Sequence, residues 1–304
     1  MVPRAPSTAL PPWLRLLRPQ QWIKNLLVFA SPAAAGVLDQ REYFTRSVLL
    51  FVAFCLAASG AYCLNDVADA EADRVHPRKR FRPIAAGDIS PPRAVALGLV
   101  LLVAGLGLSL ATGDWEPAAV LAVYVVLQPL YSIWFKHIAV LDLLVVTAGF
   151  VLRAVIGVVG TAVPISDWYL IVASFGSLFL VAGKRSTELR LDHDGVRRGS
   201  LESYTPSFLL LVRGVALSIT LLAYCLWAFE KATLDSSSFP WFQLSIVPFT
   251  AILLRYSLVH ETAADDAGPE DVVLGDRTIQ VLGVLWVLCL GAGVYVAGTP
   301  PLPG

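Results

Sequence analysis

Long apolar runs constrain this chain more than any other feature. A segment of about 20 apolar residues is long enough to cross a bilayer as a helix. In lipid such a segment must satisfy every backbone N–H and C=O internally, which leaves it helical. The runs predict about nine spans, roughly at 23–38, 46–64, 92–112, 117–135, 138–160, 167–183, 207–229, 241–258 and 278–298. The expected fold is therefore all-α and polytopic. Residues are 56% hydrophobic and 15% charged, against about a quarter charged in soluble domains. Trp22, Trp115, Trp134, Trp168, Trp227 and Trp241 fall near span ends, as an interfacial aromatic belt requires. The four cysteines all lie inside apolar runs without metal-type spacing and read as buried thiols.

Basic residues predict the orientation. Of the 23 Lys and Arg, only Arg41, Arg46 and Lys231 fall on one side of the nine-span arrangement, and Arg153 and Arg213 lie within spans. The rest lie in the N-terminal segment and the loops after spans two, four, six and eight. By the positive-inside bias that side is cytoplasmic, with the N-terminus inside and the C-terminus outside. The expected location is the inner (plasma) membrane. Residues 1–22 lack the apolar core of a signal peptide, so the first span itself is expected to direct insertion. Within them Trp13–Leu17 reads as a short interfacial helix. Short loops and the lack of a residue-level repeat suggest one transmembrane domain over 1–304. The net charge of +0 suggests no nucleic-acid partner.

The chemistry concentrates where span two ends, in Asn65-Asp66-Val67-Ala68-Asp69-Ala70-Glu71-Ala72-Asp73. Asp66, Asp69 and Asp73 stand at i, i+3 and i+7, one face of a helix, with Asn65 beside it. Converging carboxylates repel one another unless a cation joins them. Hard oxygen ligands suit Mg²⁺, which bridges carboxylates to substrate phosphates. A solvated acidic helix end would show the same spacing. The next stretch of chain favours the metal: within a few residues comes a dense basic loop, His76 to Gly87, with Lys79 and Arg82 as candidate substrate contacts. Acids to hold Mg²⁺ beside cations to neutralise phosphate are what a phosphorylated substrate needs. The same cations would also serve as a positive-inside anchor.

A second polar cluster, Lys184-Arg185-Ser186-Thr187-Glu188, ends span six on the same predicted side. Its spacing allows intrahelical ion pairs, yet two cations abutting an apolar run favour an anion site. Lys24, and Lys136 following Tyr131, lie at comparable depth. Arg153 and Arg213, inside spans, are costly there and usually face a polar interior.

These residues resemble the UbiA superfamily of membrane prenyltransferases. The first signature of that family, N-D-x-x-D-x-x-x-D after the second helix, matches Asn65, Asp66, Asp69 and Asp73. Its continuation D-R-x-H-P-x-K-R-x-R-P-I-A-x-G matches Asp73–Gly87. The resemblance implies nine helices around a central cavity. The second family motif, D-x-x-x-D after helix six, is replaced here by Lys184-Arg185 and Glu188. That departure is similar to the branch that moves 5-phosphoribose from phosphoribosyl diphosphate (PRPP) to a polyprenyl (decaprenyl) phosphate. Further likeness to that branch lies in Arg18–Asn25, Leu201–Thr205, Leu226–Glu230, Pro248-Phe249 with Leu254–Tyr256, and Pro269–Asp271 with Asp276-Arg277.

The resemblance implies that Asp66, Asp69 and Asp73 hold Mg²⁺ and that Asn65 orients the metal or the diphosphate. It implies that Lys79, Arg82, Lys184 and Arg185 bind phosphates, completed by Lys24, Tyr131 and Lys136. Glu188 is left to hold a ribose hydroxyl or to fix Arg185. A homo-oligomer is left open. The rival within the superfamily is prenyl transfer, against which the basic second cluster speaks. A transporter would put its charges near mid-membrane in broken-helix repeats, whereas most charges here gather at helix ends.

Overall fold

The computed structural model describes residues 10–75, 79–164, 166–191, 199–234, 239–262 and 268–296. Arg4, Arg78, Arg197 and Arg198 of the charge asymmetry, and His76 of the basic loop, lie outside them. Among the described residues every regular element is helical. The short α1 (Pro12–Leu17) is helical where a short helix is expected at Trp13–Leu17. It is followed by a 3₁₀ segment, Pro19–Phe29, and the short α2, Ala30–Ala34. Then come α3 (Arg41–Ala68), α4 (Ala70–Val75), α5 (Pro91–Leu110), α6 (Glu116–Ile133) and α7 (Leu141–Thr161). The remainder is α8 (Asp167–Leu191), α9 (Gly199–Glu202), α10 (Pro206–Leu234), α11 (Trp241–Thr262), α12 (Pro269–Gly275) and α13 (Arg277–Gly291).

Seven helices are long and apolar enough to cross a membrane: α3, α5, α6, α7, α10, α11 and α13 with its π-helical extension. The other two expected spans are built differently. The first is the 3₁₀ segment plus α2, with Pro19 at its start and Pro32 within it. The sixth is the 25-residue α8, whose last turns carry Lys184, Arg185, Glu188 and Arg190. With seven such helices, the chain is a multi-pass membrane protein.

Proline sets several boundaries. Pro91 opens α5 and Pro117 opens α6, where a missing N–H costs nothing. Asp276 caps α13, accepting the Ile279 N–H at 2.9 Å and pairing with Arg255 at 2.9 Å. The Arg255 hydrogen bond, then that of Ile279, holds the Asp276 carboxyl below its ordinary range.

Helix α3 is the centre of the bundle. Of its apolar window 61% is buried, against 17% for α6 and α13. Lipid offers little hydrophobic drive for helix association, so close backbone approach and dispersion must hold the bundle. Gly60 provides that approach: a Cβ there would stand 2.7 Å from the Gly98 carbonyl of α5. Gly105 repeats the arrangement against the Ala53 carbonyl. Leu50, Phe54, Ala57, Leu121, Tyr124, Ile156 and Val28 pack around α3. A second cluster, with Phe179, Ala216, Leu253 and Tyr256, joins α8, α10 and α11. Leu99, Val100 and Val103 of α5 and Val284, Leu285 and Leu288 of α13 point outward, where lipid would meet them. Cys55 and Cys63 are buried; Cys225 and Cys289 are half-buried, and all four are free thiols.

Candidate functional site

Helix α3 stops at Ala68, and Asp69 caps it with φ −90° and ψ 1°. The chain resumes as α4 one residue later, and backbone bonds Asp69 N–Asn65 O and Asp73 N–Asp69 O carry it across the break. The expected carboxylate face is therefore carried on two nearly continuous helices. Asp66 and Asp73 are both buried, and Arg82, just past the 3₁₀ turn Lys79–Phe81, reaches both. Its Nη1 donates to Asp73 Oδ2 at 2.6 Å and to Asp66 Oδ1 at 3.3 Å. Arg18, in the left-handed region at φ 52°, donates to the same Asp66 oxygen at 2.5 Å and lies over the Tyr62 ring. Asp69 instead pairs with Lys136 at 3.6 Å. The Asn65 amide oxygen accepts from the Ser132 hydroxyl at 2.7 Å.

Among the described residues no three His, Cys, Asp or Glu side chains stand close enough to hold a metal ion alone. The donor set at the α3–α4 junction is nevertheless all oxygen, three carboxylates and an amide. That chemistry fits Mg²⁺, which takes one or two carboxylates and completes its shell with water and substrate phosphate.

The second network joins α6, α7 and α8. Arg185 is buried and uses all three of its nitrogens. Nε donates to Asp142 at 2.9 Å, Nη1 to Glu188 at 2.6 Å and Nη2 to the Tyr131 hydroxyl at 2.9 Å. Lys184 meets the other Glu188 oxygen at 4.0 Å and is more exposed. The Tyr204 hydroxyl donates to Asp142 and accepts the Val140 N–H at 2.7 Å. Val140 has φ 68°, an unusual conformation for a β-branched residue, and Tyr204 helps hold it there. Burial first, then the bond to Asp142, pushes the Tyr204 phenol above its ordinary range, so it remains a donor.

The two networks meet at the end of α6. Tyr131 serves Arg185, its neighbour Ser132 serves Asn65, and Lys136 in the following turn Phe135–His137 serves Asp69. Between them opens a cavity of about 140 Å³, lined by Lys24, Tyr62, Tyr124, Gln128, Tyr131 and Arg153 among others. Lys24 hydrogen-bonds Gln21 at 2.5 Å and faces this cavity.

The structure thus gathers Asn65, Asp66, Asp69, Asp73, Arg82 and Lys136 in one network. It gathers Tyr131, Lys184, Arg185 and Glu188 in another, with Lys24 on the cavity between. Lys79 lies on the turn leading to Arg82. Sequence reasoning missed Arg18, Ser132, Asp142 and Tyr204 as parts of the site. Asp142 carried a signal: a lone acid opening an apolar span needs a partner. Arg18 and Tyr204 fall within segments that resemble the phosphoribosyl-transfer branch, but the resemblance gave them no role.

Residues 26–269 match the UbiA prenyltransferase family. The chain is 43% identical over 289 residues to a decaprenyl-phosphate phosphoribosyltransferase from Corynebacterium glutamicum, covering 93% of this chain and 86% of that protein. A protein of the same name from Mycolicibacterium smegmatis is 42% identical, covering 97% of this chain and 98% of the other. A UbiA homologue from Archaeoglobus fulgidus, solved bound to GPP and Mg²⁺, superposes with a TM-score of 0.68 at 18% identity, covering 94% of this chain and 99% of that one. At that identity the likeness shows the fold alone.

Proposed function

The chain belongs to the UbiA prenyltransferase family, and from that premise we propose that it transfers 5-phosphoribose from PRPP to a polyprenyl phosphate and releases diphosphate. The observation that carries the reading is the likeness, over nearly the full length of both chains, to proteins named decaprenyl-phosphate phosphoribosyltransferase. The basic second cluster supports it, since an ordinary prenyltransferase would carry aspartates there.

In this reading the oxygen of the lipid phosphate attacks C1 of ribose, and the bond from C1 to diphosphate breaks. A phosphate monoester is already largely ionised near pH 7, so the nucleophile needs no strong base. Positioning and charge stabilisation of the leaving group then supply the rate. Asp66, Asp69 and Asp73, with Asn65, would hold Mg²⁺, which when bound neutralises the departing diphosphate. Arg18 and Arg82 rest on Asp66 and Asp73 in this structure and would be free to turn to substrate phosphate once those acids take up a cation. Lys79, Lys136 and Lys184 would serve as phosphate contacts at the same end, with Lys24 on the cavity. Arg185 is held by Asp142 and Glu188 and orients Tyr131 rather than presenting an open charge. The transition state resembles an oxocarbenium ion, as in other glycosyl transfers.

The whole chain acts here as one transmembrane domain in the plasma membrane, with the charged ends of α3, α6 and α8 on the cytoplasmic side where PRPP is found. Purified protein given labelled PRPP, Mg²⁺ and polyprenyl phosphate should yield a labelled lipid-soluble product. Product formed only from prenyl diphosphate and an aromatic acceptor would overturn the reading in favour of prenyl transfer.

A further inference from the structure

We propose that Arg153, with Lys24, forms the floor of an anion subsite in the central cavity that binds a phosphate monoester group of one of the two substrates, an inference that rests on the phosphoribosyl-transfer reading. Arg153 lies eleven residues beyond Asp142 on α7, about 16 Å deeper along the helix axis. It is 5% exposed. A charge at such depth is costly and marks a substrate path or a pairing.

Among the described residues, the other two arginines buried inside helices are paired. Arg185 meets Asp142 and Glu188, and Arg213 meets Glu261. Arg153 meets no carboxylate among the described residues. Its contacts are neutral: Nε donates to Asn25 Oδ1 at 2.7 Å, Nη1 to the Gly149 carbonyl at 2.5 Å and Nη2 to the Tyr124 hydroxyl at 3.2 Å. The rings of Phe54 and Tyr124 stand 4.8 and 4.9 Å from its Cζ. These groups orient the guanidinium without neutralising it. A guanidinium has five N–H donors, so three such bonds leave two for a ligand.

The cavity supplies the rest of a site. No carboxylate is among its lining residues; its charged members are Lys24 and Arg153, and its other polar members are Tyr62, Tyr124, Gln128 and Tyr131. An isoprenoid chain would leave the charge of Arg153 uncompensated in the cavity wall, at a cost. An anion would offset that charge, and Lys24 lines the same cavity. The cavity adjoins the proposed reaction end through two tyrosines. Tyr131 at its mouth binds Arg185, and Tyr62 lies under Arg18, which binds Asp66. From Tyr131 to Tyr124 the cavity wall runs seven residues of α6, about 10 Å. A group bound at the floor is thus within reach of a substrate held at Asp66. Both the 5-phosphate of PRPP and the head of a polyprenyl phosphate are phosphate monoesters.

The test is binding to purified protein with Mg²⁺, using Arg153→Gln, Arg153→Lys and Lys24→Gln. Four ligands are compared: PRPP, ribose 1-diphosphate lacking the 5-phosphate, a short polyprenyl phosphate, and the matching polyprenol. The expected result is a tenfold or greater loss of affinity for one phosphate-bearing ligand in Arg153→Gln, partly restored in Arg153→Lys. The ligand lacking that phosphate should bind wild type and variant alike. Loss for PRPP assigns the subsite to the donor, and loss for polyprenyl phosphate assigns it to the acceptor. A lower melting temperature with both affinities unchanged within twofold would overturn the proposal and leave Arg153 as a structural pin for Asn25. Should Arg153→Gln fail to fold, Lys24→Gln decides: unchanged affinity for both phosphate ligands overturns it. The wild-type product assay separates this failure from failure of the phosphoribosyl-transfer reading.

Discussion

The network at the α3–α4 junction and the network between α7 and α8 use the same ingredients, arginines on carboxylates with a tyrosine near each, but differ in how tightly they are closed. At α3–α4 the cations arrive from elsewhere in the chain. Arg18 comes from the turn after α1 and Arg82 from the turn after α4, and each is about a quarter exposed at its side chain. Their partners Asp66 and Asp73 are buried. Such pairs can exchange partners when a ligand arrives. At α7–α8 the side chains of Arg185 and Asp142 are 6% and 1% exposed, and Glu188 and Tyr131 occupy the remaining nitrogens. Two carboxylates, Asp142 and Glu188, already offset that guanidinium charge, and in this sense the network is closed. On the proposed reading, the first network would rearrange around substrate and the second would hold the shape of the site.

The contrast fails or sharpens most visibly at the acids. Asp66→Asn or Asp73→Asn should lower turnover by roughly 100-fold or more, the scale of losing one electrostatic transition-state contact, while size-exclusion behaviour stays monodisperse. EDTA should remove the activity of the wild type. Full activity in chelator without a divalent ion would break the assignment of the first network.

Asp142→Asn should act on the fold instead. Breaking a buried pair by removing one partner costs about 3–5 kcal/mol, read as a clear loss of thermal stability in detergent. If Asp142→Asn melts like wild type yet loses substrate affinity, the second network is a binding site and the contrast is wrong.

Within the second network, Lys184→Ala and Arg185→Ala should separate. Lys184 is 40% exposed at its side chain, so its loss should weaken substrate use with little change in melting. A charge-assisted contact is worth about 1.5–3 kcal/mol, which sets an upper range of roughly ten- to hundredfold in kcat/KM. Arg185→Ala should lose stability first. Equal behaviour of the two would erase the distinction between offered and closed charges.

The smallest effect is expected at Arg15, whose bond to Asp88 at 2.6 Å lies on the surface of the same end. Arg15→Ala should cost about 1 kcal/mol or less, and that little should fade in high salt. A loss comparable with Asp142→Asn would mean exposure is a poor guide to these networks.

Much of the fold and part of the site were legible in the residue order. Apolar runs located the helices, because lipid allows the backbone few alternatives. The 3₁₀ segment at Pro19–Phe29 was not legible, since an apolar run does not reveal whether its bonds close after three residues or four. Asn65, Asp66, Asp69 and Asp73 stood out because their spacing is local. Asp142 and Arg18 did not, because their meaning comes from partners 43 and 48 residues away. The roles of Lys184 and Arg185 differ for the same reason. They are neighbours in sequence, and only the long-range carboxylate of Asp142 tells one from the other.

The central position of α3 has a consequence for how this protein can change over time. The helix that carries Asn65 and Asp66 at one end is also packed through Gly60 onto α5 and through Phe54 onto α6. Any substitution that shifts its tilt moves the reactive end with it, so damage to the interior and damage to the chemistry arrive together. Substitutions in the axle of the bundle should therefore be tolerated poorly. The outward faces of α5 and α13 should accept apolar exchanges residue by residue, to suit a different membrane, with little effect on the bundle.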